Sequence, residues 1–241
     1  VEAHLDPDRA EPAGSPAADI APGRPPSPAT GVIGQEPGAG DPRARLSRLR
    51  PSLGPAALEA MAEALKSYEA ELLRFATQVN LVSHADLSQL FNRHILPAVA
   101  IGTEIRLHPC ARILDVGSGA GLPGIPLAIT NPESQFVLVE ARRRRANFLR
   151  HCVRQLRLPN ATVVNGRAEE LQGDPFEIAL SRAVGGLKQL QVAVRHVMQP
   201  HGLFLATQQS HGSEESLDHV SKLHHSVSPV AVASIHRASC G

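Results

Sequence analysis

The chain has 241 residues, enough for one domain of ordinary size with extensions. Its 24 lysines and arginines nearly balance 23 acidic residues, so net charge indicates no class of partner. Three widely spaced cysteines, Cys110, Cys152 and Cys240, argue against a disulfide framework or a zinc site and favour a reducing compartment. No apolar run reaches the roughly 20 residues that span a bilayer, and the N-terminus lacks the apolar core of a secretion signal. These features predict a cytoplasmic location.

Composition divides the chain into three parts. Residues 1–45 hold nine Pro, six Gly and nine Ala with few large apolar side chains, so burial there cannot offset the entropy of ordering and disorder is expected. Residues 46–108 are assigned to an N-terminal helical cap. Residues 109–241 are assigned to the main domain, of which 208–241 are poorly defined by the pattern.

The cap is predicted to contain a long amphipathic helix that begins near Pro55, because proline suits the first helical turn. Its apolar residues recur at alternating spacings of three and four, which indicates one buried stripe. The stripe comprises Leu58, Met61, Leu65, Tyr68, Leu72, Phe75 and Val79. A second helical stretch is predicted over 85–101.

From residue 112 onward, short apolar segments alternate with helical ones. The predicted strands are 112–116, 135–140, 161–165, 177–181 and 202–207, and the predicted helices are 124–130, 142–157 and 187–198. This alternation is typical of an α/β fold with a mostly parallel central sheet flanked by helices. Ligands of such sheets bind at the carboxyl ends of the strands. The chemistry is therefore expected just after Val116, Val139, Val164 and Leu180.

The segment "DVGSGAGLPG" follows the first strand and fits two cofactor patterns. Gly119, Gly121 and Gly124 match the dinucleotide fingerprint G-x-G-x-x-G. Asp115, Gly117, Gly119 and Gly121 match D-x-G-x-G-x-G, a pattern found where S-adenosylmethionine binds. In both cases, glycines permit positive φ angles and a close approach of the backbone to a ligand.

Asp115 favours S-adenosylmethionine over a dinucleotide. A carboxylate beside a pyrophosphate is unfavourable, whereas it can accept a hydrogen bond from the ammonium group of the methionine moiety. Glu140 ends the second strand, where a carboxylate can bind a ribose diol of either cofactor. Ala168 and Glu169 follow the third strand, where they could meet an adenine ring. The alternative from these residues is an NAD-dependent oxidoreductase.

The region after the fourth strand, "ALSRAVGGL", carries information about the methyl acceptor. It lacks the Asn/Asp-Pro-Pro-aromatic motif of enzymes that methylate exocyclic amines, and it lacks a Pro-Cys pair for attack on a pyrimidine. A ring nitrogen with an available lone pair, such as N7 of guanine, needs no general base. Catalysis would then consist mostly of alignment.

The predicted helix over 142–157 is strongly basic. No acidic residue lies between Glu140 and Glu169, and Phe148, Leu149, Cys152, Val153 and Leu156 form its expected buried face. Its arginines are Arg142, Arg143, Arg144, Arg145, Arg150, Arg154 and Arg157. They form either an ordinary solvated face or a patch that contacts RNA phosphates without reading sequence. Aromatic residues make up 3% of the chain, which argues against a base-stacking platform.

The twelve histidines show no spacing typical of a metal site. No metal is predicted.

Several segments together resemble one family, ribosomal RNA small subunit methyltransferase G, also called glucose-inhibited division protein B. They are "QVNLVSHADLSQLFNRHIL", "LDVGSGAGLPGIPLAI", "RRRRANFLRHCVRQLRLPNATVVNGRAEEL" and "FEIALSRAV", and the resemblance covers roughly residues 58–207. It implies a Rossmann-like class I methyltransferase fold with an N-terminal helical cap. It also implies transfer of methyl from S-adenosylmethionine to N7 of one guanine in 16S rRNA.

The resemblance also implies roles for individual residues. Gly117 and Leu122 would line the methionine and ribose side of the cofactor, and Ala168 and Glu169 the adenine. Arg182 would face the cofactor or acceptor pocket as a positioning residue. Arg93 and His94 would form the wall of the acceptor site, which together with Arg142–Arg145 gives the expected RNA surface. The expected partner is 16S rRNA or the 30S subunit, and the expected state is a monomer.

The chain departs from the family pattern at two places. Pro97 stands where the family usually has Asp after Arg-His-Ile-Leu, so the helix end there is expected to differ. Gln208 and Gln209 replace the usual Lys-Gly after the fifth strand, which removes a cation from the region expected near RNA. A non-catalytic RNA-binding or ribosome-assembly protein with the same fold is therefore a further alternative.

Overall fold

The computed structural model describes most of the middle of the chain. The described residues are 41–79, 81–105, 107–182 and 187–206. The parts of the sequence outside the described residues include residues 1–40 of the predicted tail, the Gln208–Gln209 departure, and the C-terminal segment that follows it. Within these ranges, no helix is both long enough and apolar enough to cross a membrane.

Five parallel strands form one sheet in the order β3-β2-β1-β4-β5. The strands are β1 (Arg112–Val116), β2 (Gln135–Val139), β3 (Ala161–Val164), β4 (Phe176–Ser181) and β5 (Met198–Ala206). The chain reverses direction along the sheet between β1 and β4, which creates a crevice at their carboxyl ends. This order and the flanking helices confirm the Rossmann-like α/β fold.

Helices cover both faces of the sheet because side chains of successive strand residues point to opposite faces. On β1, Ile113 packs in one cluster with Leu127, whereas Leu114 packs in another with Leu190. The helices are α4 (Gly124–Thr130) and α5 (Arg143–Gln155) on the first face and α6 (Leu187–Val194) on the second. The predicted helix over 187–198 is too long, since a 3-10 turn and then β5 replace its last residues.

The long helix of the cap, α2 (Pro55–Val79), buries the predicted apolar stripe. Tyr68 and Leu72 are completely buried, and they join the cluster that also contains Phe148 and Leu149 of α5. Met61 alone of the stripe is half-buried. The cap therefore packs directly on the helices of the main domain.

The second predicted helical stretch, over 85–101, is helical but is divided into three helices of different types. The structure has a 3-10 helix (His84–Gln89), a π-helix (Phe91–Ile95) and α3 (Leu96–Glu104). The carboxylate Oε1 of Glu69 on α2 accepts from the backbone N of Phe91 at 3.1 Å, which takes that donor out of the helical ladder. Pro97 has no N–H to donate, and α3 runs through it instead of ending there.

A short helix, α1 (Pro42–Leu49), lies before α2. Its residues 42–45 fall within the segment predicted to be disordered. Asp41 caps it by accepting from the backbone N of Arg43 at 3.1 Å. Leu46 is fully buried. Arg50 donates to the carbonyl oxygen of Thr130 at 2.8 Å, at the C-terminal end of α4. These contacts tie α1 to the main domain.

Cys152, on α5, is a buried free thiol.

Candidate cofactor and acceptor site

The glycine-rich turn lies at the carboxyl end of β1, as predicted. Gly117, Gly119 and Gly121 have φ angles of 67°, 55° and 91°, a region that favours glycine. The backbone N of Gly117 donates to the carbonyl oxygen of Val139 at 2.8 Å, which fixes the turn to the end of β2. Leu122, predicted to line the cofactor, is 5% exposed and packs in the core beneath the turn.

The glycines of the turn serve different purposes. A Cβ atom on Gly119 would meet nothing closer than 3.7 Å, an ordinary van der Waals contact, so this position is not closed by packing. A Cβ atom on Gly121 would lie 2.5 Å from Cδ1 of Ile125, and one on Gly124 would lie 2.6 Å from Oδ2 of Asp115. Gly121 is therefore required for packing of the turn against α4, and Gly124 for packing of the start of α4 against β1 and β2, whereas Gly119 has no such packing role.

Asp115 lies beneath the turn with 1% of its surface exposed. Its Oδ2 accepts from the backbone N of Gly124 at 3.1 Å, while its buried Oδ1 has no hydrogen-bond partner among the described residues. Burial raises the pKa of this carboxyl from 3.8 to about 7, against the lowering effect of the Gly124 N–H and the Arg182 charge. An unpartnered buried carboxylate oxygen is an acceptor available to a cationic ligand group.

Glu140 links the turn to the next strand and helix. It is 5% exposed. Its Oε2 accepts from the backbone N of Gly119 at 2.9 Å, and its Oε1 accepts from the backbone N of Arg142 at 2.8 Å. Asn165, after β3, donates to the carbonyl oxygen of Glu140 at 2.8 Å. Each carboxylate oxygen has a further lone pair, so binding a ribose diol is compatible with these contacts.

Tyr68 contributes to the turn in a way that the sequence did not reveal. Its hydroxyl donates to the carbonyl oxygen of Ala120 at 2.7 Å, across 52 residues of sequence. Periodicity placed Tyr68 in the apolar stripe of α2, and it is indeed fully buried there. The only signal was chemical: it is the one tyrosine of the chain, and a buried tyrosine hydroxyl needs a partner.

The predicted adenine residues lie at the end of β3, in a 3-10 turn (Ala168–Glu170). Ala168 is buried and Glu169 is exposed. A shallow groove separates this turn from α6, with Lys188 and Val192 on its far side. Both residues thus lie at the carboxyl edge of the sheet, where the sequence placed them.

Arg182 follows β4 and contacts the cap. One terminal nitrogen of its guanidinium donates to Nδ1 of His94, which is 6% exposed in the π-helix. Burial lowers the pKa of Arg182 from its ordinary value. Arg93, by contrast, points outward, with its Nη1 3.6 Å from Oδ1 of Asp86. The predicted acceptor-site residues therefore divide into a contacting pair, in which His94 is buried and Arg182 half-buried, and an exposed Arg93.

The N-terminal part of α5 presents the predicted arginine cluster. Arg142, Arg143 and Arg144 are exposed, and no acidic residue lies in the first turn. Arg145 is half-buried, and its Nη1 lies 3.9 Å from where a Cβ atom of Gly119 would be. Positive side chains at a helix N-terminus oppose the helix dipole and lower helix stability. These arginines therefore do not stabilise the start of α5 through the helix dipole. They lie at the carboxyl edge of the sheet, a position that suits an anionic partner.

The described histidines do not gather around a cation site. Nε2 of His196 contacts the carbonyl oxygen of Leu171 at 3.0 Å. Over the ranges that the structure describes, no group of three or more His, Cys, Asp or Glu side chains could hold a metal ion.

Comparisons with known proteins agree with this architecture. The family model described as rRNA small subunit methyltransferase G (GidB) matches residues 61–239. A protein of that name from Vibrio campbellii is 35% identical over 175 residues, which cover 72% of this chain and 82% of the relative. One from Haemophilus influenzae (strain PittEE) is 41% identical over 128 residues, covering 53% of this chain and 62% of that relative. This chain thus spans less than two thirds of the Haemophilus relative.

Two of the solved structures that match have lower sequence identity to this chain than these relatives. A methyltransferase from Geobacter sulfurreducens in complex with S-adenosyl-L-homocysteine is 20% identical, with a TM-score of 0.41 and 46% of each chain covered. Precorrin-6y C5,15-methyltransferase from Geobacter metallireducens is 16% identical, with a TM-score of 0.41, covering 61% of this chain and 72% of that one. The family match, which extends from α2 beyond β5, decides the classification. The chain belongs to the rRNA small subunit methyltransferase G family.

Proposed function

We propose that the chain transfers the methyl group of S-adenosylmethionine to N7 of a guanine in 16S rRNA. Membership of the family supports this proposal, and so does the name of the relatives, ribosomal RNA small subunit methyltransferase G. The expected location is the cytoplasm, the expected substrate is free 16S rRNA or the 30S subunit, and the expected state is a monomer.

The observation that carries the proposal is the buried, unpartnered Oδ1 of Asp115 at the end of β1, next to the glycine turn. The methionine ammonium of S-adenosylmethionine would offset the cost of burying this carboxylate. A pyrophosphate at the same place would meet a negative charge and leave Oδ1 without a donor, so the site suits S-adenosylmethionine better than NAD. Glu140 would bind the ribose hydroxyls, and Gly117, Ala168 and Glu169 would line the remaining cofactor surface.

The proposed reaction requires binding and alignment by the side chains and no general base. S-adenosylmethionine supplies, when bound, a methyl group on a positively charged sulfur. Guanine N7 presents a lone pair without losing a proton, so the protein needs no general base there. Of the described carboxylates at the site, those of Asp115 and Glu140 are buried and accept from backbone N–H groups. The residues would therefore act by binding and alignment, and Arg182 would help to position the acceptor.

The arginines at the start of α5 are the proposed RNA surface. Arg142, Arg143 and Arg144 are exposed beside the site, and Arg93 is exposed on the cap. Phosphate contacts of this kind give affinity that falls with salt and does not depend on sequence. Together they would hold folded RNA by its backbone while one base enters the site, which costs a few kcal/mol of unstacking.

Two measurements test the proposal. Titration calorimetry with S-adenosylmethionine and with NAD should give heat only for the first, and binding of NAD alone would refute the assignment. Transfer of labelled methyl should then be measured on 30S subunits and on free 16S rRNA that lack the modification. The product should be cleaved at a single guanine by borohydride and aniline, which act at 7-methylguanine. Cofactor binding without transfer to either substrate would favour an assembly role.

A further inference from the structure

The contact between Arg182 and His94 fixes the protonation of the histidine ring. A guanidinium has only donors, so Nδ1 of His94 must offer a lone pair to it. The neutral ring then carries its proton on Nε2. Protonation of Nδ1 would remove the acceptor and would place an imidazolium against a guanidinium.

The other side of the same ring faces a carboxylate. Nε2 of His94 lies 3.4 Å from Oδ2 of Asp86, within ion-pair distance, and makes no hydrogen bond among the described residues. That carboxylate is itself held, because Oγ of Ser83 donates to Oδ2 at 2.5 Å and Nη1 of Arg93 lies 3.6 Å from Oδ1. A negative charge beside Nε2 favours the tautomer that has its proton there, which is the tautomer that Arg182 requires.

We propose that Asp86 is a positioning residue of the methyl-transfer site, which acts through the ring of His94 to hold the guanidinium of Arg182. This inference rests on the proposed function, because it assigns a purpose to Arg182 in that reaction. It adds a residue of the 3-10 helix, which lies in the cap and not on the sheet. The three side chains form one line of contacts from the cap surface to the end of β4.

The backbone of the cap is arranged to present His94 inward. The π-helix (Phe91–Ile95) closes with a hydrogen bond from the backbone N of Leu96 to the carbonyl oxygen of Phe91. Glu69 of α2 accepts from the N of Phe91 at 3.1 Å and anchors the start of this segment. Single π-turns are frequent at functional sites because they re-aim side chains that a regular helix would direct elsewhere.

The arrangement makes activity depend on pH through His94. The charged groups that face the ring are Asp86, Arg93 and Arg182. Burial is the largest cause that lowers the pKa of His94, Arg182 adds to it, and the Asp86 carboxylate opposes it. Acid should therefore release Arg182 at a pH below the ordinary histidine range. Removal of the Asp86 charge should move that loss to still lower pH.

Two variants test the proposal. Asp86→Asn should lower kcat about tenfold, leave the affinity for S-adenosylmethionine unchanged and move the acid limb of the kcat profile to lower pH. His94→Asn keeps a carbonyl acceptor for Arg182 but cannot be protonated, so the rate that remains should show no acid limb. His108→Gln is the matched control, since its ring pairs with Glu177 at 2.8 Å before β1, and its profile should equal that of the wild type. Wild-type rate and an unmoved limb in Asp86→Asn would overturn the proposal.

A measurement without turnover separates this inference from the proposed function. Nitrogen-15 spectra of the histidine rings should report the Nε2–H tautomer for His94 in the cofactor-free protein, and a lower pKa in Asp86→Asn. A proton on Nδ1 would refute the positioning role even if the enzyme methylates RNA. Conversely, the correct tautomer in a protein that methylates nothing would leave the positioning geometry intact and refute the proposed function.

Discussion

Replacement of Asp115 by Asn should change stability and function in opposite directions. The folded chain holds this carboxyl with a pKa of about 7, against 3.8 for an ordinary solvated aspartate. Between these two values the folded state retains a proton that the unfolded state has released. The contribution of this carboxyl to the free energy of unfolding is therefore complete below about pH 4 and is lost as the pH rises to about 7. An uncharged Asn does not carry this penalty at neutral pH.

The size of the effect follows from the shift and from the contacts. A shift of about three units corresponds to roughly 4 kcal/mol as an upper limit. Asn can still accept from the backbone N of Gly124 through its oxygen, but its amide would occupy the position of Oδ1, which has no hydrogen-bond partner among the described residues. That unpaired amide costs about 2 kcal/mol. Asp115→Asn should then be about 2 kcal/mol more stable than the wild type at pH 8 and about 2 kcal/mol less stable at pH 4.

Urea unfolding followed by far-ultraviolet circular dichroism, at intervals from pH 4 to 8.5, measures this difference directly. The unfolding free energies of the wild type and of Asp115→Asn, plotted against pH, should cross at about pH 5. Calorimetry on the same samples should show that the more stable variant has lost at least about tenfold in affinity for S-adenosylmethionine, a factor that corresponds to 1.4 kcal/mol. A wild-type stability that does not vary across this range, or a variant that is less stable at every pH, would refute the account of Asp115.

Three further results are expected. Gly119→Ala should weaken S-adenosylmethionine binding about tenfold and lose about 1–2 kcal/mol of stability to its positive φ. Gly121→Ala should lose clearly more stability, because its Cβ would also overlap Ile125; a larger loss in Gly119→Ala would contradict the division of roles. Tyr68→Phe should lower the unfolding free energy by about 1–2 kcal/mol because a buried carbonyl loses its donor. An unchanged unfolding free energy in urea would contradict this role of the hydroxyl. In filter binding to 16S rRNA, the Arg143→Gln, Arg144→Gln double variant should reduce the slope of log affinity against log salt by about 1.4. An unchanged slope would remove these two residues from the RNA surface.

The central sheet and the glycine turn were predictable because they are encoded locally. The predicted bounds of β1 and α4 equal the observed ones, 112–116 and 124–130. A strand with four buried residues in succession and a turn with three glycines in positive φ leave few alternatives for the backbone. The position of Asp115 at the end of β1 follows from the same pattern.

The contacts between the cap and the site were not predictable, because they join residues far apart in sequence. Periodicity assigns Tyr68 to a buried face but does not identify its acceptor 52 residues away. Likewise, the break of the second cap helix depends on Glu69, 22 residues before Phe91. His94 and Arg182 were each identified by resemblance to the family, yet their contact spans 88 residues. Such pairings depend on the packed arrangement of helices and not on local propensity.

The family match begins at residue 61, inside α2, but α1 before it is joined to the domain by Arg50. Arg50 donates to the carbonyl oxygen of Thr130 and, at 3.0 Å, to Oδ1 of Asn131, where α4 ends. Because α4 starts at the glycine turn, the arginine stabilises the far end of the helix on which the cofactor turn depends. A protein trimmed to the family boundary would lose this clamp and expose the pocket that Leu46 fills. Residues that lie outside the matched segment therefore stabilise the helix that carries the cofactor turn.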